Sequence, residues 1–568
     1  MENTQKPWLS SYGDARESLT YFDGSISEMV EKAASKYPHV IAYEFMGKKV
    51  DYKTFIKQIN KTALALTNLG IKKGDKVTIA MPNSPQGIMT FYAINKLGAI
   101  ANMIHPLSSE GEIEFFLNFS KSRAILILDS FYGKLKNIRP RLKYLEFSIV
   151  ASIRDALPKL KKPFYDLTLG KKVPSIGKDE PVIFWNDFID GAKNIGGVGW
   201  PKMSKDDVAA ILYSGGTTGT NKGILLSNLN FNALSDQIIE MNKAFKPGDV
   251  FLAVMPIFHG FGLGIAIHTM LSQGGTCALV PRFTPDSYSK LIKREHPNFI
   301  AGVPSLFNAM MATKYMQKAN LSSLKGVYSG GDSLSIEIKR RLDKFLHEHG
   351  CKVNVREGYG TTECVTASCL TPVVKEIEGS IGVPLPDMIY KICKPGTTEE
   401  VPYLEHGEIC LSGPTVMKGY LDNLEETEQT LVKHEDGNIY VHTGDIGYMN
   451  EEGFVFFVQR LKRMIVSNGY NIYPSQIENI LDSHPAVEMS CVIGVKDPIK
   501  VQKVKAYVML KSGHLANEDM KKDILEFLKK SVAKYALPYD IEFKDELPKT
   551  LVGKVAYRVL EQEANKEN

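Results

Sequence analysis

Short apolar runs closed by turn residues alternate with amphipathic helical segments along roughly the first 450 positions of this 568-residue chain. That alternation restricts the fold to α/β layering, in which helices cover sheets whose inner strands are apolar. Val77 to Met81, ended by Pro82-Asn83-Ser84, reads as one such buried strand. Ser25-Ile26-Ser27-Glu28 reads as a capping box opening a helix that carries Ile26, Met29, Val30 and Ala33 on one face. The chain exceeds what one core can serve, so at least two domains are expected.

The sharpest boundary falls near Arg460-Leu461-Lys462, giving a body over 1–460 and a small α+β domain over 461–568. In the latter, Ser475-Gln476-Ile477-Glu478 reads as a capping box, with Ile477, Ile480 and Leu481 facing inward. Strands are expected at Cys491 to Val495 and Lys503 to Leu510, followed by an amphipathic helix marked by Ile524, Phe527, Leu528 and Tyr535.

Composition narrows function mainly by exclusion. With 69 basic and 64 acidic residues the net charge is only +5, and no basic run marks a nucleic-acid partner. The seven cysteines include no Cys-x-x-Cys pair, which points to reduced thiols in a cytoplasmic protein. Met1 to Ser10 has no apolar core, so no signal peptide is expected there. The most apolar stretch, Phe251 to Leu271, contains Pro256, His259 and several glycines and reads as strand, loop and helix rather than a span. Peripheral contact with a membrane surface stays open.

Val208 to Tyr213 reads as a buried strand leading into Ser214-Gly215-Gly216-Thr217-Thr218-Gly219-Thr220-Asn221-Lys222-Gly223. Glycines let successive N–H groups turn inward, and the hydroxyls and the lysine add donors, a combination suited to a polyphosphate. A plain Gly/Ser/Thr turn would read similarly, and the spacing is not that of a Walker A loop.

The run resembles the phosphate loop of the adenylate-forming superfamily, which includes acyl-CoA synthetases, luciferases and peptide-synthetase adenylation domains. Further motifs follow in that family's order across nearly the whole chain. Gly70 to Asp75, Pro82-Asn83-Ser84 and Gly98-Ala99 resemble its early structural motifs, and Met255 to Gly262 resembles the loop beside its acyl pocket. Arg356-Glu357-Gly358-Tyr359-Gly360-Thr361-Thr362-Glu363 resembles the adenine and magnesium motif, and Tyr440 to Gly447 the ribose motif. Gln459 to Pro474 resembles the hinge, and Pro548 to Lys554 the C-terminal catalytic loop.

The resemblance implies ATP, Mg²⁺ and coenzyme A as reactants and cofactor. It implies a multi-layer body with a small barrel-like part, and a C-terminal domain that moves as a lid. An aromatic between glycines, Tyr359, can lie against a purine while the backbone at Gly358 and Gly360 comes close. Thr362 offers a hydroxyl to the α-phosphate, Glu363 a hard oxygen to Mg²⁺, and Asp445 a bidentate acceptor to the ribose hydroxyls. Glu357, Thr361 and Arg460 complete the nucleotide set. Lys554 is the implied catalytic cation, touching the carboxylate and the α-phosphate in the transition state. His259 is placed beside the acyl carboxylate, although a satisfied buried histidine would read the same way. Ser329-Gly330-Gly331-Asp332 is expected to line the acyl pocket, and Val327 excludes a nucleophile elbow there.

Lys462 falls at the family's hinge residue, and Gly469 would let a pantetheine arm pass. Gln459 and Arg463 depart from the usual residues at the hinge, and Val466 departs from the luciferase and coumarate branch. Phe258, Phe261 and Leu263 suggest an apolar acyl pocket, and no aspartate in that loop would pair with an ammonium. The implied activity is ligation of a medium- or long-chain fatty acid to coenzyme A through an acyl-adenylate. An aryl-acid CoA ligase and a stand-alone enzyme loading an acyl carrier protein remain alternatives.

Overall fold

A computed structural model describes residues 6–177, 179–192, 199–215, 221–467, 470–497, 500–550 and 555–566. Among them four sheets form. The largest, nine-stranded, has a parallel centre: Val355–Tyr359, Gly326–Gly330, Phe299–Gly302, Val250–Ala253, Thr276–Leu279 and Ile41–Phe45 lie side by side. An eight-stranded sheet is parallel from Val208–Gly215 through Ile100–Met103, Lys76–Ala80, Ala124–Leu128 and Phe147–Ala151 to Ile183–Phe184. Strands such as Ala124–Leu128 are buried along their whole length, as helices on both faces require.

Helix Pro85–Lys96 is buried at every residue, and Asn228–Glu240 at nearly every one. Both lack the one-sided pattern of a surface helix. Ser84 caps the first of them, accepting from the Gly87 amide. A run of edge-on aromatic contacts passes from Tyr43 in the nine-stranded sheet through Phe55, Tyr92 and Phe91 to Phe231. Each such pair adds ~0.5–1.5 kcal/mol beyond its burial. Polar groups inside this layer are matched: Asn95 donates to Asn228 at 2.8 Å and accepts from the Ser27 amide at 3.0 Å. The Ser25–Glu28 capping box closes on both sides, as its spacing predicts.

The third sheet is antiparallel and five-stranded. It is built from Ile389–Cys393, Gly407–Ser412, Ile439–Met449, Leu431–Lys433 and Val455–Arg460. The fourth, also five-stranded, belongs to the C-terminal segment and centres on the long pair Val487–Asp497 and Val501–Leu510. Helices Pro474–Asp482 and Glu518–Lys529 pack Ile477, Leu481, Ile524 and Leu528 into one cluster. Helix Tyr557–Lys566 packs Leu560 and Ala564 into another, with Cys491, Ile493 and Tyr507.

Two local expectations fail here. Ser475 lies inside helix Pro474–Asp482, after Tyr473, and its hydroxyl donates to the Val458 carbonyl in the preceding strand. Glu478 is drawn away from the helix end by the Arg463 guanidinium and the Val492 amide. Long-range partners outcompete the capping box. Tyr535 lies beyond Glu518–Lys529, in the turn Lys534–Ala536, and is exposed.

Candidate active site

Strands Gly326–Gly330 and Val355–Tyr359 pair in parallel, Ser329 against Glu357 and Gly330 against Gly358. Both motif segments therefore leave adjacent strands at their carboxyl ends, where open α/β sheets hold ligands. Here the nine-stranded sheet meets the antiparallel one. The Tyr359 hydroxyl donates to Asp445 Oδ2 at 2.7 Å, and Arg460 Nε lies 3.4 Å from Asp445 Oδ1. Burial, reinforced by the Asp445 charge, pushes the Tyr359 phenol well above its ordinary value, so it stays a donor.

Asp445 itself is buried in Ile439–Met449, opposite Arg460. The turn before it is fixed from several directions. Thr443 donates to the Ile409 carbonyl at 2.7 Å and accepts from the Asp445 amide at 3.1 Å. Glu408 accepts from the Gly444 amide at 2.8 Å, and its other oxygen lies 3.0 Å from His442 Nδ1. Gly444 has φ +68° with open space where a Cβ would stand, so backbone angle alone calls for glycine. Behind this turn lie the two groups that, among the described residues, could hold a metal ion, Cys393–Cys410–His434 and Glu408–Cys410–His442. Neither contains Glu363.

The eight-stranded sheet brings a third component. Val208–Gly215 and Asn221–Ser227 form an antiparallel hairpin, with Ser214 against Lys222 and Gly215 against Asn221. The two described flanks of the glycine-rich run, Ser214-Gly215 and Asn221-Lys222, thus lie side by side. Lys222 pairs with Glu426, and its ammonium lies 5.0 Å from the centre of the Tyr420 ring. The Tyr420 hydroxyl donates to Glu363 Oε1 at 2.9 Å. One tyrosine thereby ties the hairpin to the segment expected to bind metal. A single hard oxygen with partial exposure fits Mg²⁺, which keeps most of its water.

Between Tyr359 and Glu363 the chain turns tightly. Gly360 is packed so closely that a Cβ would stand 2.5 Å from the Thr366 carbonyl oxygen. Val365 and Thr366 take φ of 56° and 92°, costly for β-branched residues at ~1–3 kcal/mol each. Bonds from the Thr366 and Cys364 amides to the Thr361 carbonyl, 2.8 and 3.1 Å, hold this shape. The strain has a use: Thr366 and Ala367 form one wall of an apolar pocket. Its other walls come from Ile238, Phe261 and Ile265, from Tyr328 to Gly331, and from Gly358, Cys369 and Leu370. No charged side chain lines it. Ser329 Oγ is buried and has no hydrogen-bond partner among the described residues.

Glu357 sits behind the pocket wall, buried, and desolvation pushes its carboxyl up to about 8. His259 is half-buried; its Nδ1 accepts from the Phe261 amide at 3.2 Å. The adjoining Gly260 abuts the strained turn, with a Cβ position 2.7 Å from the Val365 carbonyl. Of the residues expected in the acyl pocket, Ser329, Gly330, Gly331 and Phe261 line it and Asp332, Phe258 and Leu263 do not. Leu263 is wholly buried in the core, and Phe258 packs on His105 with ring centres 4.3 Å apart.

The structure gathers Glu357, Gly358, Tyr359, Gly360, Asp445 and Arg460, and connects Lys222 to Glu363. Ser214 and Gly215 stand at the hairpin stem, and Thr361 and Thr362 in the strained turn. Lys462 is exposed in the turn Leu461–Arg463, immediately after Arg460. Gly216, Thr217, Thr218, Gly219, Gly469 and Lys554 lie outside the described residues. Tyr420, Glu426, Ile238 and Ile265 were not singled out by motif, since only the folded chain brings them to the site. Gln459 stands out in the hinge segment: it is buried, and among the described residues neither end of its amide has a partner.

The chain belongs to the AMP-binding enzyme family, which it matches over residues 30–421, with the AMP-binding enzyme C-terminal domain over residues 476–554. It is 33% identical to a long-chain-fatty-acid–CoA ligase of Bacillus subtilis, covering 99% of this chain and 98% of that one. It is 31% identical to a long-chain-fatty-acid–CoA ligase of Escherichia coli, covering 95% of this chain and 94% of that one. The crystal structure of ATP-bound MatB from Rhodopseudomonas palustris matches with a TM-score of 0.81 at 25% identity, over 95% of this chain and 99% of that one. Family and fold therefore bear out the resemblance carried by the motifs.

Proposed function

We propose that this chain activates a medium- or long-chain fatty acid with ATP as an acyl-adenylate and transfers the acyl group to coenzyme A. The observation that carries this reading is the shared strand end. Gly358 lines the apolar pocket while the next residue, Tyr359, bonds to Asp445, so acid and nucleotide would meet within one residue of chain. The names of the Bacillus subtilis and Escherichia coli relatives support the acid and the acceptor, and the uncharged pocket lining supports an alkyl chain.

In the first step a carboxylate oxygen attacks the α-phosphorus and pyrophosphate leaves. Tyr359 would flank the adenine, and Asp445 would accept the ribose hydroxyls through its two carboxylate oxygens. Lys222 would exchange Glu426 for a phosphate oxygen. Thr362 would donate to the α-phosphate, and Ser329 and His259 would border the carboxylate. Mg²⁺ held by Glu363 would offset charge on the phosphates. Lys554 would bridge the reacting carboxylate and α-phosphate, holding both where charge develops.

In the second step the coenzyme A sulfur attacks the acyl carbonyl carbon and AMP leaves. We assign the body to residues up to 460 and the moving lid to residues from 461, with the pivot at Lys462. Passage of the thiol arm beside Gly469 belongs to this step. The unpartnered Gln459 amide supports a pivot here, because a buried amide without partners costs ~1–3 kcal/mol that a rearrangement could relieve.

The test is AMP release from ATP with octanoate, palmitate, acetate, benzoate and 4-coumarate, each with and without coenzyme A. Release matched by thioester, and confined to the longer alkyl acids, is expected. Preference for benzoate or coumarate would move the assignment to aryl acids. Thioester formed only on an acyl carrier protein would replace the acceptor, and release of ADP would overturn the adenylation step.

A further inference from the structure

Four of the most exposed large apolar side chains fall within ten residues of one another. They are Leu160 at 94%, Phe164 at 71%, Leu167 at 67% and Leu169 at 56% relative exposure. The segment passes through the turn Lys159–Lys161 into helix Lys162–Leu167 and, after a non-helical break at Thr168, into the turn Leu169–Lys172. Leu160, Phe164 and Leu167 stand at i, i+4 and i+7, one face of a helix. That face points to solvent, whereas Leu157 and Tyr165 are buried and anchor the segment to the body. The usual amphipathic arrangement is thus inverted, with apolar residues outward.

The rim of this patch is basic. Between Arg154 and Lys172 the sequence carries Arg154, Lys159, Lys161, Lys162, Lys171 and Lys172 against Asp155 and Asp166. Asp166 and Arg154 pair with each other at 2.7 and 2.9 Å, and Asp155 accepts from the Asn186 amide at 3.0 Å, so the lysines carry the positive excess. The hairpin Ile41–Phe45 and Lys48–Asp51 adds to the rim. Lys161 donates to the Met46 carbonyl at 2.7 Å, and Lys48 lies close enough to Lys162 for the two charges to interact.

We infer that residues 159–172 form a membrane-surface anchor, which seats its outward Leu and Phe side chains among acyl chains while the lysine rim meets anionic headgroups. A helix with an apolar face and a lysine border has the chemistry of an interfacial segment, and no helix among the described residues is long and apolar enough to cross a membrane. A uniformly apolar partner protein would not explain the lysine border, whereas an anionic bilayer matches both halves of the patch. The inference is independent of which acid the enzyme ligates.

The test is co-sedimentation of the full chain with phosphatidylcholine vesicles and with phosphatidylcholine vesicles containing phosphatidylglycerol, alongside light scattering without lipid. Binding is expected to the anionic vesicles and to weaken with added salt. The exposed double variant L160N/F164N is expected to lose about tenfold or more of that binding, with thermal unfolding and ligase activity in detergent-dispersed substrate unchanged. The triple variant K159Q/K162Q/K171Q is expected to lose about fivefold per lysine toward anionic vesicles. Absence of vesicle binding, or binding unaffected by L160N/F164N, would overturn the anchor. So would a lipid-free dimer that the double variant converts to monomer, since the patch would then be covered by a second copy.

Discussion

Glu357→Gln isolates the electrostatic cost of building the site around a buried carboxyl. Glu357 lies on Val355–Tyr359, beneath the pocket, with burial as the largest influence on its protonation and Lys339 a smaller opposing one. Lys339 is itself committed to Asp343, at 2.8 Å, and to Glu376. The result is a carboxyl moved from its ordinary 4.5 to about 8. At ~1.36 kcal/mol per pH unit this amounts to on the order of 5 kcal/mol, the scale of cost for an ion held away from water. The direction follows from linkage: because the folded-state value is raised, the stabilising contribution is full below pH 4.5. It declines from there to about pH 8 and stays lost above it.

Glutamine keeps the shape and cannot ionise. The Glu357→Gln variant should therefore match the wild type within ~1 kcal/mol near pH 5 and exceed it by several kcal/mol at pH 9. Urea-unfolding midpoints measured across that range give the comparison. Other buried acids, such as Asp236 and Asp482 at about 6 and 7, titrate in both proteins and cancel in the difference. Identical pH dependence in the two proteins, or a variant less stable at pH 9, would refute the reasoning.

Tyr359→Phe keeps the ring and removes the hydroxyl bonded to Asp445. A bond to a charged group is worth ~1.5–3 kcal/mol, so ATP affinity should fall about tenfold or more, together with discrimination against 2′,3′-dideoxy-ATP; unchanged discrimination would separate Asp445 from the ribose. Lys554→Ala should lower acid-dependent ATP–pyrophosphate exchange by ~10²–10³-fold while thioester formation from supplied acyl-adenylate stays within a few fold; equal loss in both assays would remove its special role in the first step. Gln459→Leu replaces an unpartnered buried amide and should raise the denaturation midpoint by the equivalent of ~1 kcal/mol. It should also slow thioester formation relative to exchange; a variant that is destabilised would show that the amide has partners in this arrangement.

Features encoded locally were legible in the sequence. The Ser25–Glu28 box, the strand beginning near Val77 and the α/β layering depend on neighbours a few residues apart or on a repeated period. The failures share a physical cause. Ser475 and Glu478 have capping spacing, yet Val458, Arg463 and Val492 offer them stronger partners that only the folded chain brings near. Leu263 and Phe261 sit two residues apart, but the helix Phe261–Thr269 turns one toward the pocket and the other into the core. The motifs identified Lys222, Tyr359, Glu363 and Asp445 without indicating how they connect. Tyr420 and Glu426 supply part of that connection from about 200 residues beyond Lys222.

The most direct test of the central claim is to supply palmitate labelled with ¹⁸O in its carboxylate and weigh the AMP produced in the presence of coenzyme A. Attack of the carboxylate on the α-phosphorus requires one ¹⁸O to leave with AMP when the thiol displaces it. AMP carrying a single ¹⁸O per turnover, with the other ¹⁸O in the thioester carbonyl, is the expected result; unlabelled AMP, with the departing ¹⁸O found in inorganic phosphate or water, would contradict it.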